Sequence, residues 1–395
     1  MRSVLKYSLL FLLIYLIASG DSFPQRPEKV YSIVKQIKTF DWYKNAAIEW
    51  KKVIVENSSD AEAWLYYYTA NRMARMFHPE EWEKTKGEYF REPNDIVSEA
   101  EKSIPGTFEY NYIKVYNNKK WDDEHEKLLF HTLSLGPDRP EIYDELIRHY
   151  EIKRDTVNSR IFNGKWYKSG DVSPGVLNWN YNVLASLEKD AILFTNGDND
   201  TYPVWMLQYV KNFRKDVLVL NINLMMVDEY RNALFEQNSI KPFTVDFSKY
   251  KEEKNPLPGV MTELIKHVVN NSQNRPVYFA LTLNSELYRN ISEKVYMTGL
   301  AFKYSDNDFD NMAVLIKNYE HNWLLDYLIE DFAEDISVTV VHQININYLP
   351  VFAKLYEHFL ISGNDSKTKK IKSLALHVAE KGKGMDLFNK LFEKE

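Results

Sequence analysis

The chain has 395 residues, 45% of them hydrophobic, no cysteine and a formal net charge of −6. That length accommodates two or three domains, and that apolar fraction builds a sizeable core, which excludes general disorder. Without cysteine there are no structural disulfides, no thiolate chemistry and no lipoprotein anchor, and an acidic chain lacking a basic block argues against nucleic acid as a partner.

Arg2 and Lys6 precede an apolar run from Tyr7 to Ala18. The run is well short of the roughly 20 residues that span a bilayer, and Ala18-Ser19-Gly20 supplies the small residues of a signal-peptidase site. Residues 1–20 read as a cleaved secretory signal, which leaves a mature chain with no membrane span; an uncleaved anchor is the alternative. Export without disulfides suits the periplasm or envelope of a Gram-negative bacterium.

Residues 21–160 read as helical repeats. In NAAIEWKKVIVENSSDAEAW, Asn45–Trp64, the residues Ala47, Trp50 and Ile54 share one helical stripe. Asn57–Asp60 is a polar turn, and a second helix starts at Ala61. The helix–turn–helix pattern resembles a tetratricopeptide repeat, with Ser58 where that family usually has proline. It recurs over Lys127–Tyr150, with Pro137 and Pro140 in the turn. His78–Asp95 looks like an insertion and Phe108–Asn117 like another first helix. Stacked helix pairs bury what a single pair leaves exposed, and their concave face usually binds a protein. A bracket that only supports the next domain is the plainer alternative.

Residues 161–345 read as an α/β, Rossmann-like domain. Phe162–Gly175, rich in Gly, Ser and Pro, marks a boundary or hairpin, and Asn178–Leu187 is a helix. Ala191–Thr195 is a short apolar run, as expected for a strand buried on both faces. Asn196–Tyr202 is a loop, Pro203 opens a helix through Phe213, and Asp216–Leu224 is a second strand, completing a βαβ unit. Helices follow at Val227–Gln237 and Pro258–Asn270, then a strand at Pro276–Leu283. Val295–Tyr304 suggests a last strand, with Gly299 at a bulge or close approach. Residues 346–395 form a C-terminal helical pair, Tyr348–Leu360 and Lys370–Lys381. The fold class expected is thus a helical repeat array, a three-layer α/β domain with a mostly parallel sheet, and a helical pair.

The loop after the first strand, Asn196-Gly197-Asp198-Asn199-Asp200-Thr201, is the candidate ligand site. Ligands bind beyond the carboxyl ends of strands in open α/β sheets, and the next helix offers free N–H groups. Asp198 and Asp200 together could hold a divalent cation; Asp306-Asn307-Asp308 repeats the pattern. Tyr202 and Trp205 are candidates for stacking on a sugar. The structural alternative accounts for the same residues: Asn and Asp favour turns, Asp200 or Thr201 caps the helix, and Gly197 supplies a positive φ. Common nucleophile, phosphate-loop and zinc motifs are absent. His125, His131 and His149 read as repeat surface or packing rather than metal ligands.

The stretch NGDNDTYPVWMLQYVKNFRKDVLVLNINLMMVDEY, Asn196–Tyr230, resembles the soluble C-terminal part of large multi-pass membrane proteins of Gram-negative bacteria. Those proteins resemble protein O-glycosyltransferases and carry a domain of unknown function with a Gly-Asp-Asn-Asp-Thr loop. Gly197, Asp198, Asn199, Asp200, Thr201, Pro203, Trp205, Gln208, Asp216 and Val217 carry the likeness, with Arg275–Ala280 and Gly299–Phe302 further on. It covers about 162–360 and implies an envelope location and an α/β domain whose loop recognises a glycan, a partner or a metal. The multi-pass half is replaced here by helical repeats, so glycosyl transfer is not implied. The sequence favours a non-catalytic envelope protein that binds a protein partner through its repeats. The alternative is a metal-dependent, glycan-processing enzyme using Asp198 and Asp200.

Overall fold

The computed structural model describes residues 26–118, 120–250, 254–330 and 334–393; the expected signal segment lies outside them. The protein is mostly helical, with a small five-stranded sheet in the middle and helices at the C-terminal end. The described residues divide into two compact units: one holds residues 26–31 and 39–105, the other residues 32–38 and those described from Gly106 onward.

The first unit is built on a helical hairpin, α1 (Phe40–Glu56) and α2 (Ala61–Phe77). Thr39 caps α1 by accepting the Trp42 N–H, and the stripe Tyr43, Ala46, Ala47, Trp50 and Ile54 is buried. Asp60 caps α2 by accepting the Ala63 N–H (3.0 Å) and also holds the Arg26 guanidinium at 3.0 and 3.1 Å. Small Ala63, Ala70 and Ala74 are buried on the facing side and let the two backbones approach. Two short helices follow, α3 (Pro79–Thr85) and α4 (Pro93–Ser103), each with proline in its first turn, where a missing N–H costs no hydrogen bond. The expected insertion, His78–Asp95, therefore contains α3 and the first turn of α4, joined by a turn.

The second unit begins with α5 (Phe108–Asn117), α6 (Asp123–Leu135), α7 (Tyr143–Ile152), α8 (Thr156–Ser169) and α9 (Pro174–Ala185). The expected break at Phe162–Gly175 is a correction: residues 162–169 continue α8, which buries Ser159, Phe162, Asn163 and Trp166. Only Gly170 takes a left-handed conformation, φ 72°, and ends that helix.

The sheet contains β1 (Ile192–Thr195), β2 (Leu218–Asn221), β3 (Val277–Ala280), β4 (Val295–Met297) and β5 (Ala301–Tyr304), in the order β2-β1-β3-β5-β4. β1 pairs in parallel with β2 and β3, whereas β5 is antiparallel to both β3 and β4. The sheet is mixed, not mostly parallel as expected. The cause is local: Val295–Tyr304, expected as one strand, folds as a hairpin turning at Thr298-Gly299-Leu300. Gly299 is the close approach, since a Cβ there would lie 2.6 Å from Ser186 Oγ, which accepts the Trp323 indole N–H at 2.8 Å.

β1 and β3 are buried on both faces. Leu193 and Tyr278 face one core with Val204 and Leu207 of α10 (Tyr202–Lys211), while Ile192, Phe194 and Phe279 face the other. That second face is covered by α11 (Asp228–Gln237) and α12 (Leu257–Asn270). Each fully buried Leu, Ile or Phe contributes about 1.5–3 kcal/mol, so these short strands are held by the layers over them. Beyond the sheet, α13 (Asn311–Lys317) and α14 (Val338–Asn345) lead to α15 (Tyr348–Ile361) and α16 (Asp365–Gly382), the expected helical pair, followed by α17 (Met385–Phe392). Among the described residues no helix is long and apolar enough to cross a membrane.

Candidate functional site

The Asn196–Thr201 loop leaves the carboxyl end of β1 and is fixed from within. Asp200, 3% exposed, turns inward, where its carboxylate accepts the N–H of Asn196 (2.8 Å), the N–H of Gly197 (2.7 Å) and the Thr282 hydroxyl. Burial pushes its pKa up, and these donors oppose the rise. The Thr201 hydroxyl pairs with that of Thr195 at 2.8 Å and accepts from Asn221 Nδ2 at 2.9 Å. Asn180 of α9 donates to the Asn199 carbonyl (2.8 Å), and Asn223, after β2, donates to the Asn196 carbonyl (2.6 Å).

Two expected roles in this loop are corrected. Neither Asp200 nor Thr201 caps α10, because Asp200 is spent on the loop's own amides and Thr201 on β1 and β2. Gly197 is not a positive-φ glycine, and a Cβ there would meet nothing; its N–H, not its flexibility, is what the loop uses. Asp198 is exposed while Asp200 is enclosed, so the two candidate metal ligands face different surroundings. Among the described residues no group of three or more His, Asp or Glu side chains is placed to hold a metal. Asp306 is taken by Lys294 (2.7 Å) and Tyr304 (2.8 Å), and Asp308 by the Tyr296 hydroxyl.

The candidate stacking residues separate as well. Tyr202 is 8% exposed and meets Trp166 and Trp205 edge-on, at 5.7 and 5.5 Å. Trp205 packs into the core at the other end of β2, where it borders a different cavity.

Opposite Asp198 stands α7. Asp144 shares a small cavity of about 30 Å3 with Asp198, Asn199, Tyr202 and Trp166, space for a water or two. Tyr116 of α5 donates its hydroxyl to Asp144. Burial raises the Asp144 pKa to about 6, helped by the charge of Asp198 and opposed by the Tyr116 bond and by Arg148. One turn along α7, Arg148 pairs with Glu145 and lays its guanidinium 3.9 Å over the Trp121 ring. Trp121, 44% exposed, also packs on His125, ring centres 4.5 Å apart. Here a second cavity of about 240 Å3 opens beside Leu224 and Val227, past the end of β2. His125 and His149 both border it, and burial lowers both their pKa values by disfavouring the charged form. They are buried, as packing residues would be, whereas His131 is exposed.

Asp144, which lines this cavity, its hydrogen-bond partner Tyr116, and Arg148 and Trp121 of the neighbouring cavity were not singled out in the sequence. The signal was Asp144 and Arg148, four residues apart and so on one face of a helix; nothing local said that this face meets the loop after β1.

Residues 176–261 match the family described as TMEM260-associated domain 2. The match runs from α9 through β1, the Asn196–Thr201 loop and β2 to the start of α12, and lies inside the span in which the sequence resemblance was seen. No curated protein matches the chain.

Proposed function

We propose that this chain is a non-catalytic recognition protein of a bacterial envelope, which presents the crevice between the Asn196–Thr201 loop and α7 to a polar group of its partner. The observation that carries this reading is the division of labour in the loop. Asp200 spends its carboxylate on building the loop, and the loop then sets Asp198 beside Asp144, on which Arg148 also acts. A carboxylate fixed in this way recognises a cationic or hydroxyl-bearing surface at little entropic cost. The paired helices of residues 40–77, read as tetratricopeptide-like, supply a second docking surface for an envelope protein. The test is a photo-crosslinking amino acid placed at Asp198, compared with one at exposed Lys354, in cells exporting the chain. A defined adduct from position 198 alone supports the reading; equal, diffuse labelling from both positions contradicts it.

A second reading rests on Asp144. A carboxyl group whose pKa is raised to about 6, beside a second carboxylate, is the pairing used for acid–base work on glycosidic bonds. Here Asp144 would donate the proton and Asp198 act as base, with no divalent cation required of Asp200. Release of reducing sugar from envelope glycans by the wild type, abolished by Asp144→Asn, would replace the first reading with this one.

A further inference from the structure

At the amino end of the same strands the chain encloses a larger space. β2 is the edge strand of the sheet, and a cavity of about 340 Å3 lies against its outer side, closed by the end of α7 and by α11. That is the size of a small-molecule pocket.

The backbone of β2 supplies part of its lining. Leu218 donates its N–H to Ala191 (2.9 Å) and Ile222 donates to Thr195 (3.0 Å). Alternation along the strand therefore turns the N–H and C=O of Val219 away from β1 and toward the cavity. Trp205, Tyr209 and Tyr230 contribute aromatic surface.

Four of the five charged side chains around this space are engaged within the protein. Arg154 pairs with Glu151 Oε2 (2.7 Å) and with Gln237 (3.1 Å). Arg275 donates to the carbonyls of Asp190 (2.7 Å) and Ala191 (3.4 Å) and to Asn238 (3.1 Å). Asp216 is held by Arg214 (2.8 Å). Two buried polar atoms, Glu151 Oε1 and the Tyr230 hydroxyl, make no well-formed hydrogen bond, in residues 2% and 0% exposed, with the Tyr209 hydroxyl the donor nearest the Glu151 carboxylate. Burying such groups unpaired is costly, and a folded protein that does so commonly keeps them for a ligand or an ordered water.

We infer that this cavity is a binding site for a small, uncharged polyhydroxylated molecule of monosaccharide size. Apart from Lys215 at the exposed rim, whose ammonium reaches Asn212 at 3.5 Å, the charges around this space are engaged within the protein. The unmet capacity is one acceptor, one hydroxyl and an outward strand amide and carbonyl. Hydroxyls, which both donate and accept, satisfy all of these, and the aromatic walls suit the C–H faces of a sugar ring. The site is separate from the Asp198 crevice and does not depend on that reading.

The test is saturation-transfer NMR of the full chain with glucose, mannose, galactose and N-acetylglucosamine, alongside inorganic phosphate, spermidine and adenine. Tyr230→Phe and Glu151→Gln are measured in parallel. Saturable binding of at least one sugar, about tenfold weaker in each variant (one lost hydrogen bond), supports the inference. Tyr230→Phe should also raise the melting temperature without sugar and shrink the rise that sugar produces. Absence of saturable sugar binding, equal binding by the variants, or binding only of phosphate, spermidine or adenine overturns it. Should Glu151→Gln fail to fold, Tyr230→Phe alone decides.

Discussion

The two ends of the parallel strands treat a buried carboxylate in opposite ways. At the carboxyl end, Asp200 is surrounded by the Asn196 and Gly197 amides and the Thr282 hydroxyl. At the amino end, Glu151 is as deeply buried, yet one of its oxygens makes no well-formed hydrogen bond, and the Tyr230 hydroxyl bordering the same cavity makes none either. A carboxylate whose neighbours all donate to it is part of the scaffold. A carboxylate left short of a donor beside a cavity has room for something from outside. The contrast separates residues that hold the fold from residues that meet a ligand, and it can be tested from both sides.

The largest effect expected is for Asp200→Ala. It strands two loop amides and a hydroxyl in a buried place, so the second unit should lose about 3–4 kcal/mol of stability in urea. A loss below about 1 kcal/mol would mean the loop does not depend on Asp200.

Next comes the pH dependence set by Asp144. Its pKa is raised from the ordinary carboxylate value to about 6, so between about pH 4 and 6 the folded state binds more protons than the unfolded chain. Stability from this group is therefore greatest below pH 4 and falls as pH rises to 6, by about 2–3 kcal/mol. Above pH 6 its contribution is level. Asp144→Asn should remove that fall and make the protein relatively more stable at pH 7 than at pH 4; an unchanged pH profile of urea midpoints would rule this out.

Two smaller effects run the other way or nearly vanish. Tyr230→Phe removes a buried hydroxyl that makes no well-formed hydrogen bond, and should stabilise the unliganded protein by about 1 kcal/mol; destabilisation would show that the hydroxyl is satisfied in solution. Trp121→Ala removes the ring between Arg148 and His125, most of it at the surface, and should cost about 0.5–1 kcal/mol, read in the same denaturation series.

Much of the fold was legible because its signals are local. Strands buried on both faces appear as unbroken apolar runs, and Ala191–Thr195 and Pro276–Leu283 each contain one. Helix stripes such as Tyr43–Ile54 and Phe108–Val115 repeat at helical spacing. The hairpin at Thr298–Leu300 escaped notice because its turn is short and apolar on one side, so it blends into the strands it joins. The helices of residues 311–345 have weak local signals and are fixed by packing against α9 and α15. The candidate loop was found from its position after a strand, but the roles within it were not. Asp198 and Asp200 differ through their partners: the Asn196 and Gly197 amides and the distant Thr282 hydroxyl hold Asp200, while the distant Asp144 stands beside Asp198.

The central claim is that Asp200 is scaffold and Asp198 is the presented group. Urea denaturation of Asp198→Asn and Asp200→Asn at pH 7 tests it most directly, since the two changes are chemically identical and two residues apart. Asp200→Asn should cost about 1.5–2 kcal/mol, and Asp198→Asn, at an exposed position, clearly less. Equal losses, or a larger loss at Asp198, would contradict the division of labour on which the proposed crevice rests.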